Sequence, residues 1–294
     1  MLDLQYTIID NKFYNIKQIL KEEFNISDRL LRRLKSDNKI FLNSSPINPN
    51  FTNLKCGDIV SVDLNFDEEY DNIVPAQIKL NIIYEDDYLL IVNKQAGIPI
   101  HPSCNHFSDS LSNGVKFYFD SIGLKRKIRI VNRLDKDTSG IVIFAKNEYV
   151  QEILIRQMKT NDFKKEYVAV LNGILSEKEG TISAPIARKG ESIIERCVDF
   201  EKGDNAITHY DVIKTFNNSL SLVHFILETG RTHQIRVHSS YIGHPIVGDT
   251  LYGNSSELIN RQTLHAYKVS FIHPITKEKM VLEADLPYDM TVFF

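Results

Sequence analysis

Two carboxylates share one short stretch, Arg133-Leu134-Asp135-Lys136-Asp137-Thr138-Ser139-Gly140, directly behind a run of positive charge. Lys125, Arg126, Lys127, Arg129 and Arg133 follow one another with no acidic residue between them. An acid delivered into a site that already attracts anions suggests acid, base or nucleophilic chemistry on a polyanion. Two plainer readings compete. As a calcium loop, Asp135, Asp137, Ser139 and Gly140 match positions 1, 3, 5 and 6 of the EF-hand pattern, but position 12 is Lys146 rather than a bidentate glutamate. As a hairpin turn, the side chains of Asp137, Thr138 and Ser139 bond local backbone and Gly140 takes a special dihedral. That second reading leaves Arg133 and Asp135 unexplained.

A second constellation runs Gly230-Arg231-Thr232-His233-Gln234-Ile235-Arg236-Val237-His238. A strand ending at Gly230 and a helix capped by Thr232 would crowd these polar side chains at a helix start, a position that favours anions. His233 and His238 are five residues apart, about 140° around a helix, so they share no metal-binding face. His238 reads as a solvated helix residue, whereas Arg231 and Arg236 together at a Gly-initiated helix start are harder to read that way. The third constellation is Phe163-Lys164-Lys165-Glu166-Tyr167. Strand alternation puts Lys165 and Tyr167 on one face and Glu166 on the other, with core packing or base stacking open to the tyrosine.

The elements that must position these groups divide the chain in three. Residues 1–66 form a small unit: a helix from Ile16 through Phe24, a second opened by Ser27 or Asp28 and bearing Leu30, Leu31 and Leu34, a strand over Lys39 to Asn43, a turn at Ser44-Ser45-Pro46, and a strand over Ile59 to Val62. The second helix carries Arg29, Arg32, Arg33 and Lys35. Residues 67–75, with Asp67, Glu68, Glu69 and Asp71, read as an acidic linker. Residues 76–294 hold strand-like runs interrupted by helices near Ser108 to Phe119, Glu148 to Met158 and Thr232 to Ile242. Without strict alternation of strand and helix, this predicts an α+β domain on a mixed, mostly antiparallel sheet.

Composition narrows the classes. A chain of 294 residues with 43% hydrophobic residues fills a core, and a net charge of −3 disfavours indiscriminate nucleic-acid binding while leaving room for a local basic groove. Cys56, Cys104 and Cys197 lie far apart with no C-x-x-C pair, which fits buried free thiols in a reducing cytoplasm rather than a disulfide framework or a zinc site. No apolar run reaches the ~18 residues of a membrane span, and Asp3 and Asp10 without a basic start do not resemble a secretion signal.

Asn132 to Gly140 is similar to the H-R-L-D-x-x-T-S-G motif of the RluA-type pseudouridine synthases. Further matches follow in the same order: Ile83 to Asp86 with Val92-Asn93-Lys94 and Ala96-Gly97, then Lys165-Glu166-Tyr167, Ala206 to Thr208, Gly230 to Arg236, Gly243 to Pro245 with Gly248-Asp249, and Leu264-His265-Ala266. The N-terminal unit resembles the S4-like RNA-binding module through Asp28 to Leu34, Phe41 to Asn43 and Gly57 to Val60. The resemblance implies an isomerase that detaches uracil from its ribose and reattaches it through C5, with no cofactor and no metal. It implies Asp135 as the catalytic carboxylate, Tyr167 against the target base and Arg236 paired with the aspartate. An arginine beside a carboxylate favours its charged form, and the target base must leave its stack. Arg133, Arg231, His233 and Gln234 are expected to meet RNA near the site, and Arg29, Arg32, Arg33 and Lys35 from the S4-like module. Asn132 departs from the family histidine and Gln95 from the usual proline, which puts the substrate preference in question. The expected substrate is ribosomal RNA of the large subunit, ahead of transfer RNA, acted on by a cytoplasmic monomer without membrane attachment. The alternative is a non-catalytic RNA-binding or ribosome-assembly protein, which would have no use for the carboxylate.

Overall fold

The computed structural model describes residues 3–10, 12–68, 72–160, 162–217 and 219–293. Glu69 and Asp71 of the expected linker, and the chain ends at 1–2 and 294, lie outside the described residues.

The N-terminal unit runs β1 (Leu4–Thr7), α1 (Ile16–Glu22), α2 (Asp28–Ser36), β2 (Ile40–Leu42), β3 (Ser45–Pro46) and β4 (Ile59–Val62), with sheet order β1-β4-β2-β3. Its helices start where short polar side chains satisfy free backbone N–H groups: Asn15 accepts from Gln18 N and Ser27 from Leu30 N. Leu30, Leu31 and Leu34 then fall on one buried face of α2 while Arg29, Arg32 and Lys35 face solvent. The Ser44 turn is tighter than expected. Asn43 and Ser44 both take positive φ, of 49° and 68°, and Ser45-Pro46 returns as a strand beside β2.

The remainder comprises β5 (Ile82–Glu85), β6 (Leu89–Lys94), α3 (Leu111–Ser121), β7 (Arg129–Ile130), β8 (Ser139–Ala145), α4 (Glu148–Gln157), β9 (Lys164–Asn172), β10 (Glu179–Ser183), β11 (Ile186–Arg188), β12 (Arg196–Val198), β13 (Ile207–Phe216), β14 (Leu220–Leu227), α5 (Gln234–Tyr241), β15 (Leu264–Ile272), β16 (Lys279–Glu283) and a 3₁₀ turn over Tyr288–Phe293. Among the described residues, one sheet takes ten of these strands, in the order β10-β13-β14-β9-β15-β8-β6-β5, with β16 also on β15 and β7 also on β8. Its pairings are antiparallel except β15 on β8, so the mixed, mostly antiparallel α+β architecture is borne out. β8 is buried along its whole length, which is why Ser139 to Ala145 reads as a continuous apolar run rather than an alternating one.

Gly140 is demanded by that parallel crossing. It lies between Lys94 and Ala266 on neighbouring strands, at φ 115°, and a Cβ there would stand 2.6 Å from the Ala266 nitrogen and closer still to its carbonyl oxygen.

One hydrophobic cluster joins the N-terminal unit to the large sheet. It contains Ile16, Leu34 and Val62 from the first and Leu89, Ile143 and Phe271 from the second. Each such residue contributes about 1.5–3 kcal/mol by leaving water. The acidic stretch takes part in this junction. Glu68 has a side chain 5% exposed, bonded by Arg33 Nη1 at 2.8 Å and by both terminal nitrogens of Arg129 at 2.6 and 2.7 Å, while Arg33 also lies over the Phe66 ring. Burial alone would push the Glu68 carboxyl up, but the arginine hydrogen bonds outweigh it and hold the carboxyl at about 2. A solvated connector is therefore not what Glu68 belongs to.

Candidate active site

A cavity of about 430 Å³ opens on the edge where the loop 133–138, β9 and the start of α5 meet. Its floor belongs to the cluster of Tyr167, Ala169, Phe225, Leu227, Ile235, Leu264 and Ala266, against which Leu134 packs.

The loop that carries Asp135 is held from below. Lys94, 1% exposed, donates from Nζ to the carbonyls of Lys136 at 2.8 Å, Ile98 at 2.9 Å and Gln95 at 3.0 Å, and Gly97 N donates to Lys136 O at 3.0 Å. Burial pushes the Lys94 ammonium down to about 7. Arg261 Nη1 donates to Asp137 O at 3.1 Å, Gln262 Nε2 to Thr138 Oγ1 at 3.3 Å, and Ser139 Oγ meets His265 Nδ1 at 2.9 Å. The loop is thus fixed by distant residues, where local side-chain bonds from Asp137, Thr138 and Ser139 are expected from sequence. Asn132, at the family's histidine position, donates to Ile141 O and accepts from Ile143 N, both at 2.9 Å. Its amide is committed to the backbone of β8.

Asp135 receives Arg236 Nη1 on Oδ2 at 3.1 Å. Arg236 gives its other edge to Asp249, Nε to Oδ2 at 2.7 Å and Nη2 to Oδ1 at 2.9 Å, and its guanidinium lies 5.1 Å from the centre of the Tyr252 ring. Burial would lower the arginine's pKa, but Asp249 first and Asp135 second outweigh it, so the guanidinium stays charged. Asp249 Oδ1 also accepts Leu251 N and Tyr252 N, a set of donors that keeps a fully buried carboxylate satisfied.

His233 approaches the same carboxylate, with Nε2 3.7 Å from Asp135 Oδ2. Tyr252 OH accepts Arg196 N at 2.8 Å and stands 2.8 Å from His233 Nδ1, which holds the imidazole with its Nε2 edge toward Asp135. Burial pushes the His233 imidazole down and outweighs the pull of Asp135. His233 also replaces Thr232 as the residue that opens α5. It holds φ 59°, ψ 21° and no side chain caps this helix.

Tyr167, 7% exposed on β9, lines the cavity, and burial, then the charge of Asp135, raises its hydroxyl pKa. Lys165 lines it from the same strand face, while Glu166 turns to the opposite side and meets His224 at 3.0 Å. Among the described residues no hydrogen bond or ion pair engages the Lys165 ammonium or the Arg133 guanidinium. Arg231 donates to Asn205 O at 3.0 Å and pairs with Asp204 at 3.2 Å, remaining 42% exposed. Gln234 is taken up inside: Oε1 accepts Thr229 Oγ1 and Arg231 N, and Nε2 donates to Ile207 O and Thr208 Oγ1.

The structure thus gathers Asp135, Tyr167, Arg236, Arg133, Arg231, His233 and Gln234 around one cavity. Arg29, Arg32, Arg33 and Lys35 lie on α2 in the N-terminal unit. Of these, Arg33 is bound to Glu68 and Glu148, and Arg29, Arg32 and Lys35 are exposed. The cationic run behind the loop is partly neutralised too, since Arg126 donates to Phe66 O and Asn65 and Arg129 is held by Glu68. His238 is not solvated but fully buried, between Thr208 Oγ1 and Ala184 O at 2.9 Å each. The three thiols depart from expectation the other way: Cys56 and Cys104 are exposed and Cys197 is half-buried. Asp249, Tyr252 and Lys94 carry no chemical signal in sequence spacing alone. Asp249 could have been suspected from the counter-charge that Arg236, buried on α5, must find.

Residues 88–241, which include Asp135, Tyr167 and Arg236, match the family model for RNA pseudouridylate synthase. The chain is 40% identical over 270 residues to the RNA pseudouridine synthase YjbO of Bacillus subtilis, covering 92% of this chain and 94% of that protein. The chain belongs to the RNA pseudouridine synthase family. It is 35% identical over 255 residues to the ribosomal large subunit pseudouridine synthase D of Zymomonas mobilis, over 82% of this chain and 80% of that one. Among solved structures it is similar to human RNA pseudouridylate synthase domain containing 1, with a TM-score of 0.60 and 28% identity over 72% of this chain and 86% of that one. The resemblance drawn from the ordered motifs is borne out. The protein is an isomerase that converts uridine to pseudouridine in RNA, and RNA is its substrate. Among the described residues no helix is long and apolar enough to cross a membrane.

Proposed function

We propose that this synthase acts on large-subunit ribosomal RNA and that Asp135 is the carboxylate on which its reaction turns. The observation that carries the reading is Asp135 itself, held at the cavity by Arg236 with one oxygen bonded and the other given no hydrogen bond among the described residues. Pseudouridine formation breaks the bond between ribose C1′ and uracil N1, turns the ring, and joins C1′ to C5. A carboxylate of fixed position suits either attack on the nucleoside or removal of a proton from it. Tyr167, clustered with Leu227 and Leu264 at the apolar floor, offers a ring against which a flipped base can pack, and a cavity of about 430 Å³ has room for one nucleotide.

Arg133 and Arg231 stand at the cavity with exposed guanidinium groups and are read as phosphate contacts, with His233 positioning the reacting carboxylate. On α2, Arg29, Arg32 and Lys35 form the exposed face through which an S4-like unit of residues 1–66 would hold RNA, while Arg33 fastens that unit to the catalytic sheet. The name of the Zymomonas relative supports ribosomal RNA of the large subunit as the target. One chain supplies Asp135, Tyr167 and Arg236, which supports action as a monomer, and thiols free of disulfides support a reducing cytoplasm. Pseudouridines mapped at nucleotide resolution in cells with and without the protein test this reading. Loss of one or more positions in large-subunit ribosomal RNA is expected, and a loss confined to transfer RNA would overturn the choice of substrate.

A further inference from the structure

Lys165 precedes Tyr167 by two residues on β9 and shares its face toward the cavity. Its cross-strand neighbours, Leu227 on β14 and Val269 on β15, are apolar. A Cβ built on Gly230 would lie 3.0 Å from the Lys165 Nζ, so the ammonium rests against a stretch of backbone that glycine leaves bare. The titratable and charged groups around the same space are Tyr167 from β9, Arg133 and Asp135 from the loop, Arg231 and His233 ahead of α5, and Arg236 within it. Asp135 is engaged by Arg236, Arg236 by Asp249 and Arg231 by Asp204. None of these carboxylates is bonded to Lys165. Burial lowers its pKa and no counter-charge offsets that effect.

A partly desolvated ammonium without a partner is unfavourable until something bound supplies negative charge or an acceptor oxygen. Besides the charged groups just named, the cavity that it lines carries Tyr167, Leu227, Met158 and Leu264, a set of apolar surfaces that suits the plane and edge of a base. Resting on the reading that this cavity receives the target uridine, we propose that Lys165 is a catalytic residue whose ammonium holds the uracil through a ring oxygen and takes up the negative charge released onto the base when it is detached. Cleavage of C1′–N1 leaves the bonding pair on N1, spread over O2 and O4, with the electron-poor C1′ beside the Asp135 carboxylate. Lys165 donates an N–H to one of the two oxygens, where the charge is greater than in intact uridine, so the contact strengthens along the reaction. The ring then turns, C5 bonds to C1′, the C5 proton is released and one proton is taken up at N1. The product has the atoms of the substrate, and no oxidant, reductant or second substrate enters.

The test uses the full-length enzyme and total RNA from cells lacking it, following pseudouridine formation at the position that the wild-type enzyme modifies, from about pH 6 to about pH 10 and at two salt concentrations. Lys165→Met is expected to lower the saturated rate roughly 100-fold, leave the half-saturating RNA concentration unchanged, and remove the fall in rate at alkaline pH. Lys165→Arg is expected to restore most of the rate and carry the alkaline fall to higher pH, and Lys165→Gln serves in place of the Met variant should that one fail to fold. A raised half-saturating concentration with a smaller salt dependence and an unchanged saturated rate would make Lys165 a phosphate contact and overturn the proposal. So would wild-type kinetics in Lys165→Met. Those outcomes with an active wild-type enzyme strike Lys165 alone, whereas persistence of activity in Asp135→Asn strikes the reading on which it rests.

Discussion

Arg236 gives two nitrogens to Asp249, at 2.7 and 2.9 Å, and one to Asp135, at 3.1 Å. The arginine is clamped from behind by a carboxylate that never sees solvent, and presents a single N–H to the carboxylate that does. Asp249 thereby fixes the angle at which the charge of Asp135 is held, 13 residues along the chain from the arginine it serves.

Removing that clamp should affect both stability and turnover. Asp249→Asn leaves a buried guanidinium short of its main counter-charge, a loss of about 3 kcal/mol. For a chain of this size that is a drop of roughly 6–12 °C in melting temperature. The rate of pseudouridine formation should fall as well, because Arg236 is then free to turn wholly onto Asp135. A thermal scan showing an unchanged midpoint would count against the clamp.

Glu68 predicts an acid sensitivity. Its carboxyl is held at about 2 in the folded chain, from an ordinary value of 4.5. A depressed folded pKa contributes stability that is present above the unfolded value and is lost as pH falls from about 4.5 toward 2. Glu68→Gln should therefore unfold more readily near neutral pH, by as much as about 3 kcal/mol, and lose less further stability than the wild type on acidification. Parallel acid curves for the two proteins, read by urea midpoints at each pH, would show that the Arg33–Glu68–Arg129 junction contributes nothing.

Gly140→Ala should be among the most damaging single methyl additions in the chain. The new carbon meets the backbone of Ala266 at a positive φ, and backbone cannot step aside as a flexible side chain can. A loss of more than about 3 kcal/mol is expected in denaturant unfolding, with an activity loss beyond it because Asp135 lies on the same loop.

The four basic residues of α2 should separate into two kinds. Replacing Arg29, Arg32 and Lys35 together by Gln is expected to weaken RNA binding and reduce the slope of log affinity against log salt by about 2, with the melting temperature unchanged. Arg33→Gln is expected to lower the melting temperature instead, since its partners are Glu68 and Glu148. Equal effects of all four on the salt slope would mean that Arg33 faces RNA.

Local order was legible from sequence wherever side chains decide it alone. Asn15, Ser27, Ser110 and Asn147 cap their helices with their own oxygens; the sequence names Ser27 or Asp28 as a cap and places the starts at Ile16 and Glu148, whereas the helix expected near Ser108 begins at Leu111. The start of α5 was not legible, because His233 holds a left-handed turn that is fixed by Tyr252 and by the neighbouring loop. The motif residues Asp135, Tyr167 and Arg236 could be placed together only through the family resemblance. Spacing does not bring position 135 to position 236. What sequence could not give was how charges divide: Arg33, Arg126 and Arg129 look like RNA contacts in a basic run, and in three dimensions their guanidinium groups bond to residues 65–68. Gln234, polar and at a helix start, turns its amide inward for the same reason.

In the proposed reaction the Asp135 carboxylate performs the chemistry and Arg236 holds it there. Purified Asp135→Asn, compared with wild type on RNA from cells lacking the protein, tests this most directly. The variant should bind that RNA with wild-type affinity and form no pseudouridine at the position the wild-type enzyme modifies. Pseudouridine formed there by Asp135→Asn at an undiminished rate would contradict it.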